Sequence, residues 1–257
     1  VNAPNTSEHV EPFESLCDGD SQIFRRLDKG REALVLQKQP KVGKAAAEIQ
    51  GLSLSEGKLY LTFSAENLLL GQSFVLKLIE TAGGEDFVRA KIQLDQEDLY
   101  SYNNSGKDQL NSSITILPRA PYSLVIDWNA SESTYNVDVY DGDYDSGGTP
   151  DSHTGLDFLF DIGSSIHKIR LETAQVSLDK AYEISASELN VNDQADGSGN
   201  TTYFLNDPSK DHGLDGEHYV DVRMAGPGYD ALGPCLKIGR ESSDHPGFRP
   251  VYAVLSG

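Results

Sequence analysis

The stretch Ser113–Tyr140, SITILPRAPYSLVIDWNASESTYNVDVY, decides the fold class. Tyr122, Leu124, Ile126 and Trp128 fall on one side of an extended chain, and Ser123, Val125 and Asp127 on the other. After the polar connection Asn129–Ser133, Tyr135, Val137 and Val139 alternate with Asn136, Asp138 and Tyr140. Alternation of period two on both sides of a turn-rich break marks an antiparallel hairpin with one buried face. The connection lacks glycine, so a longer loop is expected there instead of a two-residue turn.

The same alternation continues on either side. Leu59, Leu61 and Phe63 alternate with Tyr60 and Thr62, and Phe74, Leu76 and Leu78 with Val75 and Lys77. Beyond the turn Ala82–Glu85, Val88, Ala90, Ile92 and Leu94 point one way, while Arg89, Lys91 and Gln93 point the other. These read as half-buried antiparallel strands with no helical period between them. Phe24–Gln39 holds a first core strand around Ala33–Leu36. Val42–Gln50 (VGKAAAEIQ) reads as a short helix by its alanines or as a strand by its sheet context, and strand is preferred.

Gln96–Gln109 and Asp141–Thr154 read as polar loops. Phe158–Phe160 and the alternation of His167, Ile169 and Leu171 add two strands, and Tyr182–Leu189 a last regular one. Asn190–Asn200 reads as a linker or long loop, followed by short strands at Tyr203–Leu205, His218–Met224, Leu236–Ile238 and Val251–Leu255. The expected division is an irregular leader over 1–21, a two-sheet antiparallel β-sandwich over 22–191, and a loop-rich extension over 192–257 packing on that sandwich.

Apolar content of 38% and charged content of 24% describe an ordinary globular chain. No run of about 18 apolar residues suits a spanning helix. The segment VNAPNTSEHVEPFE lacks the basic start and apolar core of a signal peptide and reads as a polar leader. A formal charge of −19 disfavours nucleic acid and anionic membranes as partners. It suits either a solubilising acidic surface or acidic loops that hold Ca²⁺. In a sandwich whose first and last strands adjoin, Cys17 and Cys235 would tie the ends by a disulfide worth about 5 kcal/mol in the chain-entropy model; the plainer reading is two unrelated thiols. N-x-S/T sequons at Asn5, Asn103, Asn111, Asn129 and Asn200, together with the cysteines, lean towards a secreted or cell-surface protein.

The succession YSLVIDWNASESTYNVDVYDG, short strand, IHKIRLETAQVSLDKAYEISASELNV resembles concanavalin A-like (laminin-G/pentraxin-type) jelly-roll domains, over roughly Gly30 to Val191. The resemblance implies two packed antiparallel sheets, often a structural Ca²⁺, and frequently a glycan-handling role. Retaining glucanases of this fold carry an E-x-D-x-x-E strand, which is missing here. Jelly-roll polysaccharide lyases use a Tyr or His base with an Arg or Gln that neutralises a uronate. Their alginate-lyase motifs are also missing, yet Tyr60, Arg89, His167 and Arg170 project from strands, as does Lys91, and would serve if they lined one concave sheet. The alternative is a set of solvated strand faces, and the overall acidity opposes a polyuronate groove.

Asp141, Asp143, Asp145 and Asp151, within DGDYDSGGTPD, are the candidate Ca²⁺ ligands, since hard oxygens suit that ion. Ser146 and Ser152 stand where an EF-hand needs Gly and Glu, so the other reading is a solvated acidic loop. Asp193, Asp196, Asp207, Asp211 and Asp215 form a weaker group. No histidine spacing suits zinc. Trp128 reads as core, and Tyr100, Tyr102, Tyr140 and Tyr144 as candidate platforms for sugar rings. The expected function is an extracellular carbohydrate-binding module of lectin or adhesin type, recognising a polysaccharide or glycan. The alternatives are a lyase cleaving an acidic polysaccharide by β-elimination and a structural subunit of an extracellular assembly.

Overall fold

Leu124 faces Val139, Ile126 faces Val137 and Trp128 faces Tyr135 across an antiparallel hairpin in the computed structural model. All six are buried, as the alternation requires. The structure describes residues 12–28, 31–40, 43–68, 72–161, 163–175, 181–195, 197, 199–205, 216–219 and 237–240.

In chain order the strands are β1 (Glu14–Ser15), β2 (Gln22–Asp28), β3 (Arg31–Lys38), β4 (Lys44–Ile49), β5 (Glu56–Ala65) and β6 (Gln72–Ala82). There follow β7 (Glu85–Asp95), β8 (Asp98–Asn103), β9 (Gly106–Gln109), β10 (Tyr122–Asn129), β11 (Thr134–Asp141) and β12 (Asp151–Asp157). The last are β13 (Lys168–Gln175), β14 (Tyr182–Asp193), β15 (Thr201–Leu205), β16 (Gly216–Tyr219) and β17 (Lys237–Arg240). The chain divides into two compact units, 1–206 and 207–257. The second holds the antiparallel pair β16–β17.

The first unit is a sandwich of two antiparallel sheets. One runs β1-β4-β13-β6-β7-β8-β9, the other β12-β11-β10-β5-β14-β3-β2, with β15 added to the far half of β14. Leu76, Ile92, Ile169 and Leu99 of the first sheet share one core with Leu61, Ile126, Val137 and Ile184 of the second. Each fully buried aliphatic side chain contributes about 1.5–3 kcal/mol. Across the gap Phe63 stacks on Phe74 with ring centroids 5.0 Å apart. The consecutive strands β13 and β14 each fill the middle of a different sheet, β13 between β4 and β6, β14 between β5 and β3.

Within Val42–Gln50 the preferred strand reading holds over Lys44–Ile49: Ala45, Ala47 and Ile49 enter the core, and pairing with β1 and β13 outweighs the helical preference of alanine. The expected core strand around Ala33–Leu36 is β3, and β2 (Gln22–Asp28) pairs with it as a further strand. Other elements differ from expectation. Gln96–Gln109 is no loop but the hairpin β8–β9, anchored by Leu99, which is fully buried. β12 begins inside the expected loop Asp141–Thr154, whereas 158–160 is irregular and Phe158 stacks on Tyr135 at 4.9 Å. β14 continues to Asp193, past the expected end of the sandwich at 191. β1 falls within the stretch expected to be an irregular leader and pairs with β4.

Candidate functional site

Residues directly opposite one another in an antiparallel pair project from the same face, so the registers fix what covers the outer side of the β1-to-β9 sheet. Glu48, Arg170, Lys77, Lys91, Tyr102 and Lys107 lie opposite one another in turn, crossing β4, β13, β6, β7, β8 and β9 in one row. The next row outward-facing is Glu172, Val75, Gln93, Tyr100 and Gln109. Tyr102 is thus flanked by lysines and Tyr100 by glutamines. Leu99 and Ser101, the intervening residues of β8, are buried: the Ser101 hydroxyl lies 2.5 Å from the Tyr135 hydroxyl, and Leu99 is fixed by the Asn111 side chain. Two inward anchors therefore turn both tyrosines outward.

Charge on this face is unevenly compensated. Arg170 donates to Glu48 at 2.5 Å, Lys77 pairs with Glu172, and Lys168 pairs with Asp86 at 2.8 Å. Lys91 and Lys107 form no ion pair among the described residues. Instead the Lys91 ammonium sits 4.1 Å from the Tyr102 ring centroid and that of Lys107 3.5 Å from Tyr100. Such contacts are worth about 0.5–1 kcal/mol at exposed sites. Burial, and then the neighbouring Lys77, hold Lys91 below the ordinary lysine pKa. The Tyr100 phenol donates to Asp98 at 3.0 Å, and that bond is the largest cause of its raised pKa; burial raises Tyr102. Glu172 Oε2 is buried beside the lysine row with no hydrogen-bond partner among the described residues.

The four residues expected to form an elimination site do not gather. Tyr60 stands on the other sheet, opposite Val125 and Asn190, while Arg89 and Arg170 stand on the sheet of the tyrosine rows, with His167 just ahead of Arg170's strand. Arg89 is held by the buried Glu80 at 2.8 Å. His167 Nδ1 accepts from the Thr81 amide at 3.1 Å, which leaves it a fixed structural acceptor.

Tyr140 and Tyr144 belong to the outer side of the second sheet. Tyr144 packs on Tyr60 with centroids 4.9 Å apart and donates to Glu188 at 2.9 Å. It closes the 141–148 segment over that sheet, away from Tyr100 and Tyr102. The four aspartates are not brought together either. Asp151 accepts from Ser113 N at 2.8 Å and from the Ser113 and Ser112 hydroxyls, and lies 3.3 Å from His153. Among the described residues no three His, Cys, Asp or Glu side chains converge on a point that suits a metal ion.

Cys17 carries a free thiol, 3.7 Å from Ala46 O; Cys235 and Asn5 lie outside the described residues. Of the sequons, Asn111 does not fit an exposed acceptor. It is 5% exposed, and its amide nitrogen donates to Glu97 O and Ile114 O. Asn103 donates to Asp108, and Asn129 to Glu56 at the rim of a polar cleft of about 220 Å³ at the end of β10–β11. Asn200 is exposed.

Sequence reading named Tyr100, Tyr102 and Lys91 but not Lys77, Lys107, Gln93, Gln109 or Glu172 as their neighbours. Register joins them, and hairpin lengths that set register are not visible as residue spacing.

No family model matches the chain, and no curated protein matches it in sequence. Among solved structures it is similar to a sialidase at 12% identity and a TM-score of 0.50, over 68% of this chain and 17% of that one. The chain thus spans about a sixth of that sialidase's length. It is also similar to Cellulose induced protein, Cip1, at 12% identity and a TM-score of 0.49, over 70% of this chain and 89% of that one. For the alginate lyase from Klebsiella pneumoniae the figures are 11% and 0.43, over 67% of this chain and 85% of that one. At such identities likeness bears on fold alone, and with the two antiparallel sheets traced above, the fold of this chain is the concanavalin A-like jelly roll.

Proposed function

We propose that the protein is an extracellular glycan-binding module, and that the outer side of β7–β8–β9 is its binding face. One observation carries this reading: two outward tyrosines, neighbours along β8, each stand between a pair of like polar side chains, Gln93 and Gln109 about Tyr100, Lys91 and Lys107 about Tyr102. Sugar recognition needs this combination of a flat apolar ring for the C–H face of a pyranose and amides or ammoniums for its hydroxyls.

The test is binding of defined oligosaccharides by calorimetry, with Tyr100→Ala and Tyr102→Ala alongside the parent chain. Each truncation should weaken binding roughly tenfold, the loss of one ring contact of about 1.5 kcal/mol. Unchanged affinity in both variants would place binding elsewhere and sink this reading. Chain length of the ligand is followed in the same samples, because shortening with an unsaturated product would mean elimination instead of binding.

A further inference from the structure

We propose that this face takes a linear polysaccharide with acidic groups, lying across the strands, with Lys91 and Lys107 holding two acids on the side facing the sheet. The inference rests on the reading of β7–β8–β9 as the glycan-binding face and adds the class of ligand. It comes from which cations are free. In a chain of formal charge −19, the row across this sheet carries Arg170, Lys77, Lys91 and Lys107. Arg170 and Lys77 are neutralised by Glu48 and Glu172, which leaves the ammoniums of β7 and β9.

Both ammoniums rest on tyrosine faces, Lys91 on Tyr102 and Lys107 on Tyr100. A neutral sugar that stacks on either ring must displace an ammonium and offers it only hydroxyls. An acidic sugar takes the ring with its own plane and offers the displaced ammonium a charge-assisted hydrogen bond, which is the stronger of the two contacts. The exchange therefore favours acids. Among the carboxylates near the tyrosines, Asp98 accepts from Tyr100 and Gln109 and Asp108 from Asn103, and none forms an ion pair with Lys91 or Lys107 among the described residues. Asp95, Asp98 and the paired Glu172 lie to one side of the lysine row.

Spacing sets the direction. Lys91 and Lys107 both face Tyr102 in register, one on each side, so they stand two strand spacings apart, about 10 Å. A disaccharide repeat of an extended chain spans a comparable length, which suits an acid on alternate rings facing the protein. Carboxylate and sulfate share the needed chemistry.

The experiment titrates the full chain with oligogalacturonates of one to six units, with the same oligomers methyl-esterified, and with a sulfated oligosaccharide of matching length. Lys91→Met and Lys107→Met are run beside the parent, and near-ultraviolet circular dichroism checks their fold. The acidic hexamer should bind at least tenfold tighter than its ester and far tighter than the monomer. Affinity should fall with added salt, and each lysine variant should lose about tenfold for the acid but clearly less for the ester, so that the preference for acid over ester shrinks. Preference for the sulfated over the carboxylate oligomer, or the reverse, names the natural acid within the class. Equal binding of acid and ester overturns the ligand class and leaves the binding face standing. Tight acid binding that neither lysine variant weakens overturns the proposal, and binding of no oligomer overturns the underlying reading as well.

Discussion

Glu80 and Glu188 are carboxylates held in opposite preferences. Glu80, 3% exposed, accepts from Gly163 N at 2.7 Å, Ser164 N at 3.0 Å and Arg89 Nε at 2.8 Å. Burial opposes its charge, but these donors outweigh it, and its pKa lies below the ordinary value of 4.5. Its contribution is therefore complete above pH 4.5 and is lost as pH falls through the depressed value. Glu80→Gln should cost about 3 kcal/mol at pH 7, the scale of breaking a buried pair, with the gap to the parent narrowing in acid. Denaturant unfolding at pH 7 and pH 3 reads both. Glu188 is the reverse: burial raises its pKa more than the bonds from Tyr144 and Thr62 lower it. The folded state holds that proton longer, so its charging weakens the fold as pH rises above 4.5. Glu188→Gln should accordingly be more stable than the parent at pH 7 and equal to it below pH 4. An unchanged or lower neutral-pH stability would mean that the bond from Tyr144 needs the charge.

Among the strands, what was legible follows the amount of core each covers. β5, β6, β10 and β11, and β7 from Ala90 onward, alternate cleanly because one side of each is buried. β8 and β12 were lost in polar loops because they lie towards the sheet margins: β8 gives the core little beyond Leu99, and β12 buries only Leu156. Alternation fades where there is little core to alternate against. The turn between β6 and β7 was legible, since Gly83 and Gly84 adopt φ of +63° and +85°, as a tight hairpin requires. Alanine at either should cost about 1 kcal/mol, read from the denaturation midpoint, with glycan affinity untouched. Gly57 was not legible as special. A Cβ there would stand 2.4 Å from Trp128 Cζ2, so the strand passes directly under the indole. Gly57→Ala should cost about 1–3 kcal/mol by overpacking. Trp128 is the sole tryptophan, so a shift of its emission reports the displaced ring, and unaltered emission with unaltered stability would show that the site has slack.

Over the whole molecule, the fold class could be read from the chain and the candidate face could not. Composition reports a charge of −19 but not that Lys91 and Lys107, which form no ion pair among the described residues, flank one tyrosine. Residues 91, 102 and 107 become neighbours only through two hairpin registers. Likewise Tyr60 and Arg170 look alike as strand residues, and only strand order separates them onto different sheets. That order also bears on when the protein can fold during synthesis. Because β13 and β14 occupy the middle of the two sheets, a nascent chain stopped before residue 168 has β4 with no link to β6 and β3 with no link to β5. A fragment ending at residue 165 should therefore unfold without a cooperative transition in denaturant, and a sharp one would contradict the dependence. In the ribosome-bound chain, four inner strand edges stay unpaired until the last strands of the sandwich emerge, open to pairing with other chains. Closure by such distant partners places the complete chain among folders that need milliseconds to seconds, and makes chaperone cover during translation most valuable up to the moment when β14 leaves the exit tunnel.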